Sequence, residues 1–537
     1  MKWALLLVIA CNAPDRGPTF HAAGSTTPRN GGTLRFAVIN QISTIDPTIE
    51  TDEVSAYPVH AMYETLLDYE PAVRGDDAVG LKLVPRLAVR WEVSPDGLGY
   101  HFWLRDGIAF SDGTPVVAGD FVYSLERALK SPTSPFKSFL GDIAGAADVI
   151  ENHAEHCAGI TTPNDRELVI QLATPNMAFL EILAMSFATP QQQRFVEDVG
   201  ENIQHEARGT GPFKLVEWAQ GRRIVLAKNP HYWDASSIHL DRIVILENVR
   251  RDTQFLMFEN GELDAAEKLS PPDYLWLLDQ KAWAPYVQQR VAMNAFGSRM
   301  NVTKKPFTDR RVRQAMNYAV DKDHDLKLLN GSAVASHGIL PPGMFGRDAT
   351  IAPYPHDPAK ARQLLAEAGY PDGFPTTYVV MADDEAERLA GSLQADLAEV
   401  GIRVTIEPQA YATYLTTIGL KEDGADFAKS TQLADFPDPI NFLDARFTTA
   451  AIQDENSNND AFYSNPDLDT LLAAAHGEPD RDKREAMYHR AERILYDDAP
   501  WIWEYHQMMT EVIQPYVAGY GLHPIWFRDY SRAWLDK

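Results

Sequence analysis

The stretch that decides the fold spans residues 91–129 and reads WEVSPDGLGYHFWLRDGIAFSDGTPVVAGDFVYSLERAL. Its pairs Asp96-Gly97 and Asp112-Gly113 are typical of tight turns, because glycine adopts the left-handed backbone conformation that such turns need. Apolar side chains that can form buried strand faces lie around these turns, at Phe102, Leu104, Ile108 and Phe110. After Gly119 the apolar residues follow helical spacing, at Phe121, Leu125, Ala128 and Leu129. The stretch therefore predicts short strands joined by turns and followed by a helix.

Strand and helix patterns also alternate outside this stretch. Residues 33–38 and 402–407 alternate apolar and polar side chains and are predicted strands. A helix is predicted from Asp357-Pro358 to Gly369, with aspartate as N-cap, proline in the first turn and glycine past the end. Another helix is predicted after Asp309, with Arg310, Arg311 and Arg313 facing solvent. The sequence thus predicts an α/β protein with mixed sheets.

Length and composition limit the classes of function. A chain of 537 residues is too long for one core and predicts two or three domains. Its formal net charge of −26 argues against nucleic acid or an anionic membrane surface as a partner. The sequence has no phosphate-binding loop, nucleophile elbow or zinc-protease motif, and no metal or other cofactor is expected. A hydrolase with paired carboxylates stays open, because sequence spacing does not give their separation in space.

The N-terminal residues indicate export. Residues 1–11 combine a basic start with an apolar run too short to cross a bilayer, and they end in Val8-Ile9-Ala10-Cys11. This ending resembles the bacterial lipobox, which implies a lipoprotein signal peptide with lipidation at Cys11. The alternative is an ordinary signal peptide with an incidental cysteine. Residues 12–31 are rich in Pro, Gly, Ser and Thr and predict a flexible tether. Cys157 then has no partner within a monomer and is expected to be an inert thiol.

Residues 91–129 closely resemble the signature block of the bacterial extracellular solute-binding proteins of family 5, which include oligopeptide-, dipeptide- and nickel-binding components of ABC importers. The resemblance continues in the same order through blocks that cover nearly the whole mature chain: GTGPFKLVEW from Gly209, KNPHYW from Lys228, PFTDRRVRQAMNYAVDKD from Pro306, DPAKARQLLAEAGYPDGF from Asp357 and ADFPDPINFLDARF from Ala434.

The resemblance implies a class II periplasmic-binding-protein fold, the Venus-flytrap type, in which two lobes close on a ligand. Lobe one would comprise residues 32–297 completed by residues 507–537, with an inserted subdomain at about residues 57–188. Lobe two would comprise residues 298–506. The chain would cross between the lobes near Gly297 and Tyr505. Lobe one, the inserted subdomain and lobe two denote these residue ranges throughout.

The resemblance also implies a function. The chain would be the substrate-binding lipoprotein of an ABC import system, held in the periplasm or cell envelope by its lipid, and would catalyse nothing. It would act as a monomer that captures peptides and delivers them to permease and ATPase subunits on separate chains. Alternatives are a receptor of the same family for a nickel chelate, an oligosaccharide or an opine, and a signalling or chaperone-like receptor.

The resemblance assigns candidate ligand residues in lobe two. Asp435 matches the aspartate that pairs with the α-ammonium of a peptide, and Gln432, Leu433 and Ala434 precede it in the same segment. The alternative role for Asp435 is to cap a turn beside Pro437. The family usually has a Gly-Trp pair shortly before the aspartate, whereas this chain has Thr431-Gln432. The aromatic wall is therefore expected to be missing or to come from elsewhere, with Tyr411, Tyr414 and Trp503 as candidates.

Other candidate ligand residues lie near the start of lobe one and near the first crossing. Asn40, Gln41 and Ile42 follow the first strand, where peptide-binding relatives offer backbone partners. Their alternative is an ordinary exit from the strand. Arg299 and Asn301 are candidates to meet a ligand carboxylate or, alternatively, to cap the hinge.

Overall fold

The computed structural model describes residues 24–25, 27–72 and 81–537. The predicted signal peptide with its lipidation site, Cys11, lies outside the described residues, as does most of the predicted tether. Among the described helices, none has both the length and the apolarity that crossing a bilayer would require.

Twenty-two strands are described. The strands of residues 33–300 are β1 Thr33–Ala37, β2 Leu67–Tyr69, β3 Leu83–Pro85, β4 Ala88–Val93, β5 Gly99–Leu104, β6 Ile160–Asn164, β7 Glu167–Gln171, β8 Phe213–Ala219, β9 Arg223–Lys228, β10 Arg242–Leu246, β11 Ala265–Glu267, β12 Val287–Val291 and β13 Asn294–Met300. The later strands are β14 Ala333–Ala335, β15 Pro375–Met381, β16 Arg403–Gln409, β17 Phe427–Leu433, β18 Trp501–Ile513, β19 Val517–Ala518, β20 Leu522–His523, β21 Phe527–Arg528 and β22 Trp534–Leu535.

Fifteen α-helices are described between and around these strands. They are α1 Glu53–Met62, α2 Ala118–Lys130, α3 Ala146–Ile150, α4 Phe179–Ile182, α5 Gln193–Val199, α6 Arg251–Glu259, α7 Pro271–Asp279, α8 Arg310–Ala319, α9 Lys322–Leu328, α10 Pro358–Glu367, α11 Asp384–Glu399, α12 Tyr411–Gly419, α13 Pro439–Phe447, α14 Pro466–His476 and α15 Arg481–Asp498.

Three sheets organise the molecule into two lobes. Lobe one has a four-stranded sheet in the order β1-β10-β9-β8, with β1 parallel to β10. The inserted subdomain has an antiparallel sheet in the order β4-β5-β7-β6. The third sheet has eight strands along the path β11-β18-β13-β17-β15-β16, with β12 and β14 also pairing to β18. The predicted α/β class with mixed sheets is confirmed.

Strand β18 belongs to both lobes. Its first part, from Trp501 to Gln507, pairs with β13 and β14. Its second part, from Met508 to Ile513, pairs with β11 and β12 of lobe one. The continuous strand therefore ties the sheet of lobe two to lobe one, close to the predicted second crossing at Tyr505.

The stretch at residues 91–129 folds as the sequence predicts. Gly97 and Gly113 have φ values of 71° and 90°, the left-handed region that favours glycine. Phe102, Phe110 and Phe121 are all buried in one core. Helix α2 begins at Ala118 and carries its apolar face into that core.

The helix predicted after Asp309 forms as α8, and the Asp309 side chain caps it by accepting from the Arg311 amide. The prediction that Arg313 faces solvent is wrong, because this side chain is only 6% exposed. Its Nε donates to the Asp498 carbonyl oxygen at 2.8 Å and its Nη1 to the Phe307 carbonyl oxygen at 2.8 Å. Carbonyl acceptors near the end of α15 and just before α8 thus hold an arginine that helical spacing alone places outside.

Candidate ligand-binding cleft

A cavity of about 350 Å³ lies between the lobes, within the usual size of a small-molecule site. Lobe one contributes the segment before α1, part of β18 and the C-terminal strands, and its inserted subdomain contributes Phe136, Met185 and Ser186. Lobe two contributes the end of β17 and the first turns of α11. Because both lobes form the walls, a movement of one lobe against the other would open the cavity.

Asp435 lies in this cavity, in the turn between β17 and α13. The side-chain Nδ2 of Asn441 donates to Asp435 Oδ2 at 2.8 Å, and the backbone N–H of Asp435 donates to Asn441 Oδ1 at 2.9 Å. The N-cap of α13 is Asp438, which accepts from the Ile440 amide. The turn therefore fixes Asp435 while its carboxylate lines the cavity. Its removal from bulk water raises the pKa of this carboxyl group above the ordinary value.

Leu433 and Ala434 also line the cavity. The Ala434 amide donates to the Met293 carbonyl oxygen at 2.8 Å, which extends the β13–β17 pairing by one hydrogen bond. Gln432 points away from the cavity and is buried behind it. Its Oε1 accepts from Arg446 at 2.6 Å and its Nε2 donates to the Asn441 carbonyl oxygen at 2.9 Å. The structure thus places Gln432 as a support of the Asp435 turn, because side chains alternate along β17.

Glu50 is a cavity residue that the sequence did not single out. It lies just before α1, is only 6% exposed, and its Oε2 accepts from the Ser186 hydroxyl at 3.2 Å. Asp52 beside it caps α1 by accepting from the Ser55 amide. Burial, and then the negative charges of Asp52 and Asp435, raise the pKa of Glu50 to about 8. Carboxylates from both lobes therefore face the same space.

Four cationic side chains line the cavity, and two of them are already paired. Lys268 lies 2.5 Å from Glu53. Arg528 is fully buried between Glu267 and Glu511, at 2.9 and 3.0 Å. Arg388 on α11 donates to the Leu328 carbonyl oxygen at 3.3 Å. Among the described residues, no carboxylate lies within 4.0 Å of the guanidinium of Arg388 or of Arg251.

The rest of the cavity wall is partly apolar and partly polar. The apolar part includes methionine, aromatic and aliphatic side chains: Phe136, Met185, Met293, Met508, Met509, Ile525 and Trp526. The polar part includes Thr51, Asn294, Asn330, Ser332, Gln507 and Thr510. The three aromatic candidates from the sequence lie elsewhere: Tyr411 is exposed, and Tyr414 and Trp503 are packed in cores. The signal that could have found part of this wall is Met508-Met509, an apolar pair near the predicted second crossing.

The remaining candidates from the sequence do not line the cavity. Asn40, Gln41 and Ile42 lie where β1 exits beside β10, and the Ile42 amide donates to Glu247 at 3.1 Å. Their position fits the alternative, an ordinary strand exit, because the chain packs there against its own sheet.

Arg299 and Asn301 do not line the cavity either. Arg299 is fully buried, and it donates to the carbonyl oxygens of Ala425 and Ile418 at 2.5 and 3.2 Å. Asn301 donates to the Lys421 carbonyl oxygen at 3.1 Å. By this point β13 has passed into the sheet of lobe two, so both side chains hold the segment around residues 418–425 and lie away from the cleft.

A second contact between the lobes lies outside the cavity and is called the seam here. It is formed by Asp142 of the inserted subdomain with His476 and Asp444 of lobe two. His476 Nε2 lies 3.4 Å from Asp142 and its Nδ1 lies 3.3 Å from Asp444. The Met177 amide also donates to the His476 carbonyl oxygen at 3.0 Å. Burial acts to lower the pKa of His476, but its hydrogen bonds to the two carboxylates outweigh this effect and raise the pKa to about 9.

Comparison with known proteins shows what this architecture is similar to. The chain is 30% identical over 499 residues to the glutathione-binding protein GsiB of Pectobacterium atrosepticum, covering 91% of each chain. It is 27% identical to the dipeptide-binding protein DppE of Bacillus subtilis, covering 93% of this chain and 90% of that one. The structure is similar to the periplasmic binding protein DppA of Helicobacter pylori in complex with the peptide STSA. That match has a TM-score of 0.79 and 28% identity, and it covers 95% of this chain and 99% of that one.

A family model provides the last comparison. Residues 82–454 match the model described as the middle part of the bacterial extracellular solute-binding proteins, family 5. This range contains the stretch at residues 91–129 and the Asp435 turn, and it confirms the resemblance found in the sequence. The chain belongs to the bacterial extracellular solute-binding proteins of family 5.

Proposed function

We propose that this protein captures a short peptide between its two lobes and delivers it to the permease of an ABC importer. The observation that carries the proposal is Asp435, a carboxylate that Asn441 fixes at the wall of the cavity between the lobes. Such a group pairs well with an α-ammonium, because charge-assisted hydrogen bonds strengthen where water is excluded. Relatives named for dipeptides and glutathione, which carry such an ammonium, support the same ligand class.

The other charges of the cavity fit a ligand with both an ammonium and a carboxylate. Arg388 lines the same cavity and has only a carbonyl oxygen as its hydrogen-bond partner among the described residues. The charged groups that act on Asp435 and Glu50 do not include Arg388. We assign Arg388 to the carboxylate end of the peptide and Asp435 to the ammonium end. The apolar wall with Phe136, Met508 and Trp526 then receives the side chains.

The remaining parts of the proposal concern the whole protein. The chain is proposed to act as a monomer, anchored through a lipid on Cys11 and releasing its ligand chemically unchanged. The lobes are proposed to move about β13 and β18, the two strands that lie at the predicted crossings. Recovery of intact peptide from the complex, identified by mass spectrometry, tests the absence of catalysis. Accumulation of hydrolysed peptide would instead favour a carboxylate-dependent hydrolase.

The Asp435→Asn variant tests the ligand assignment. Isothermal titration with a panel of apolar di- to tetrapeptides should show affinity reduced about a hundredfold or more, because a buried ammonium loses its counter-ion. The melting temperature of the empty protein should hardly change, since asparagine can still bond to Asn441. The same peptides with an acetylated N-terminus are the matched control and should bind wild type and variant equally weakly. Unchanged affinity of the free-amine peptides in the variant contradicts the proposal.

A further inference from the structure

The cavity holds a carboxylate from each lobe, and the charge of one acts on the other. Glu50 comes from lobe one and Asp435 from lobe two, and both line the cavity. The negative charge of Asp435 contributes to the raised pKa of Glu50, which places the two groups within electrostatic reach. Glu50 is more than nine-tenths buried, and its hydrogen bond is to a neutral donor, the Ser186 hydroxyl. Closing the lobes therefore brings two acids together in an enclosed space.

No cation of the described residues neutralises this pair. Besides Ser186, the groups that act on Glu50 are Asp52 and Asp435, both acidic. Lys268 is paired with Glu53, and Arg528 is held between Glu267 and Glu511. Arg446 lowers the pKa of Asp435, but its guanidinium is bonded to Gln432 and the Thr431 carbonyl oxygen behind the cavity. Arg388 and Arg251 also line the cavity but are not among the charges that act on Glu50 or Asp435. The balancing positive charge is therefore a proton or a cation that enters with the ligand, because like charges in a poorly hydrated space repel strongly.

We propose that Glu50 is a second counter-ion for the ligand ammonium, so that one carboxylate from each lobe shares the cation and closure of the lobes requires it. The proposal rests on the proposed function and adds a rule of selection to it. A ligand with a primary ammonium joins the lobes, since it bonds to both at once. A ligand of the same shape without that charge leaves the two acids opposed, and the lobes stay apart. The site thus selects amines at the closing step as well as at the binding step.

The test compares wild type with Glu50→Gln, which keeps the shape and the bond to Ser186 but removes the charge. Titration calorimetry uses a peptide that wild type binds and its des-amino analogue. The affinity of E50Q for the peptide should fall about tenfold or more, the effect of losing one charged hydrogen bond. Its affinity for the des-amino analogue should stay equal or rise. The control is Glu387→Gln, an exposed carboxylate in the first turn of α11 that is not part of the cavity lining and should leave both affinities unchanged.

Closure is measured separately by small-angle scattering of wild-type protein, which needs no variant to fold. The peptide should make the molecule more compact, and the des-amino analogue at saturation should not. Equal compaction by both ligands overturns the role of Glu50, as does an E50Q variant that loses no peptide affinity. In both cases the proposed function survives, because peptide still binds. Failure of wild type to bind any peptide of the panel overturns the proposed function and this inference with it.

Discussion

The cleft and the seam are two places where acids from opposite lobes approach each other. In the cleft, Glu50 and Asp435 line a cavity whose cationic side chains, among the described residues, form no ion pair with either carboxylate. In the seam, His476 stands between Asp142 and Asp444 at 3.4 and 3.3 Å. The seam therefore has a histidine between its acids, whereas on the proposal above the ligand ammonium takes that place in the cleft. The comparison predicts that closure of the cleft depends on the charge of the ligand.

The two places also differ in their access to water. The three side chains of the seam are each about a quarter exposed, at 25% to 28%. Ion pairs with such access to solvent contribute about 1 kcal/mol or less, because water and salt screen them. Glu50, in contrast, is nearly fully buried. The ion pairs of His476 are thus expected to break easily if the lobes separate. The charge of the buried Glu50 is expected to have the larger effect on closure.

The largest expected effect comes from giving the cleft a resident cation, as the seam has. In Glu50→Lys the ammonium would face Asp435 from the opposite lobe and occupy the place proposed for the ligand. Peptide affinity should fall about a hundredfold or more, and the empty protein should be as compact as liganded wild type. Calorimetry and small-angle scattering measure the two effects. An E50K protein that stays open and binds peptide normally would break the comparison.

A smaller effect is expected from removing the cation of the seam. His476→Gln leaves Asp142 and Asp444 facing each other without a charge between them, which disfavours the closed form. Peptide affinity should fall about three- to tenfold, a limited loss because the groups are partly solvated. The control is His489→Gln on α15, whose imidazole is 3.9 Å from Glu485 within lobe two and does not join the lobes. If both variants lose the same affinity, the seam has no role in closure.

The local features of this fold follow from the sequence, and the cleft does so only in part. The turns at Gly97 and Gly113 and the helix α2 depend on nearby residues, so periodicity and turn chemistry predict them. Asp435 could be named as a candidate because it belongs to a contiguous motif that resembles the family. The sequence did not single out Glu50, because its proposed role depends on Asp435, which lies almost four hundred residues later in the chain and belongs to the other lobe.

Two candidate residues, Arg299 and Gln432, lie away from the cavity because the sequence does not show which way a side chain points. Arg299 was placed near the ligand from its position just past a predicted crossing, but β13 takes it behind the sheet to the Ala425 carbonyl oxygen. Gln432 was counted with its neighbours, but strand alternation turns its side chain toward Arg446. Order along the chain locates a segment, and only the paired strands decide which face a side chain occupies.

The smallest predicted effect is a dependence of ligand affinity on pH, and its pH range distinguishes the seam from the cleft. Hydrogen bonds to Asp142 of the inserted subdomain and to Asp444 of its own lobe outweigh burial and raise the pKa of His476 from its ordinary 6.5 to about 9. The stabilisation it gives is therefore complete below about pH 6.5 and is lost as the pH rises through 9. The α-amino group of the peptide titrates near pH 8 as well, so the affinity of wild type alone is ambiguous. The ratio of wild-type to H476Q affinity removes that contribution.

We expect the ratio of wild-type to H476Q affinity to fall about threefold between pH 7 and pH 9. The full pKa shift of His476 would give a larger fall, but Asp444 stays beside His476 when the lobes part. The acids of the cleft act in a lower range. Burial, Asp52 of the same lobe and Asp435 of the opposite lobe together raise the pKa of Glu50 from an ordinary 4.5 to about 8. The part of this shift that closure adds makes closure of the empty protein less favourable as the pH rises toward 8. Scattering of the empty protein over this range should show opening in wild type and none in E50Q. A ratio that is flat to pH 9 would mean that the charge of His476 does not join the lobes.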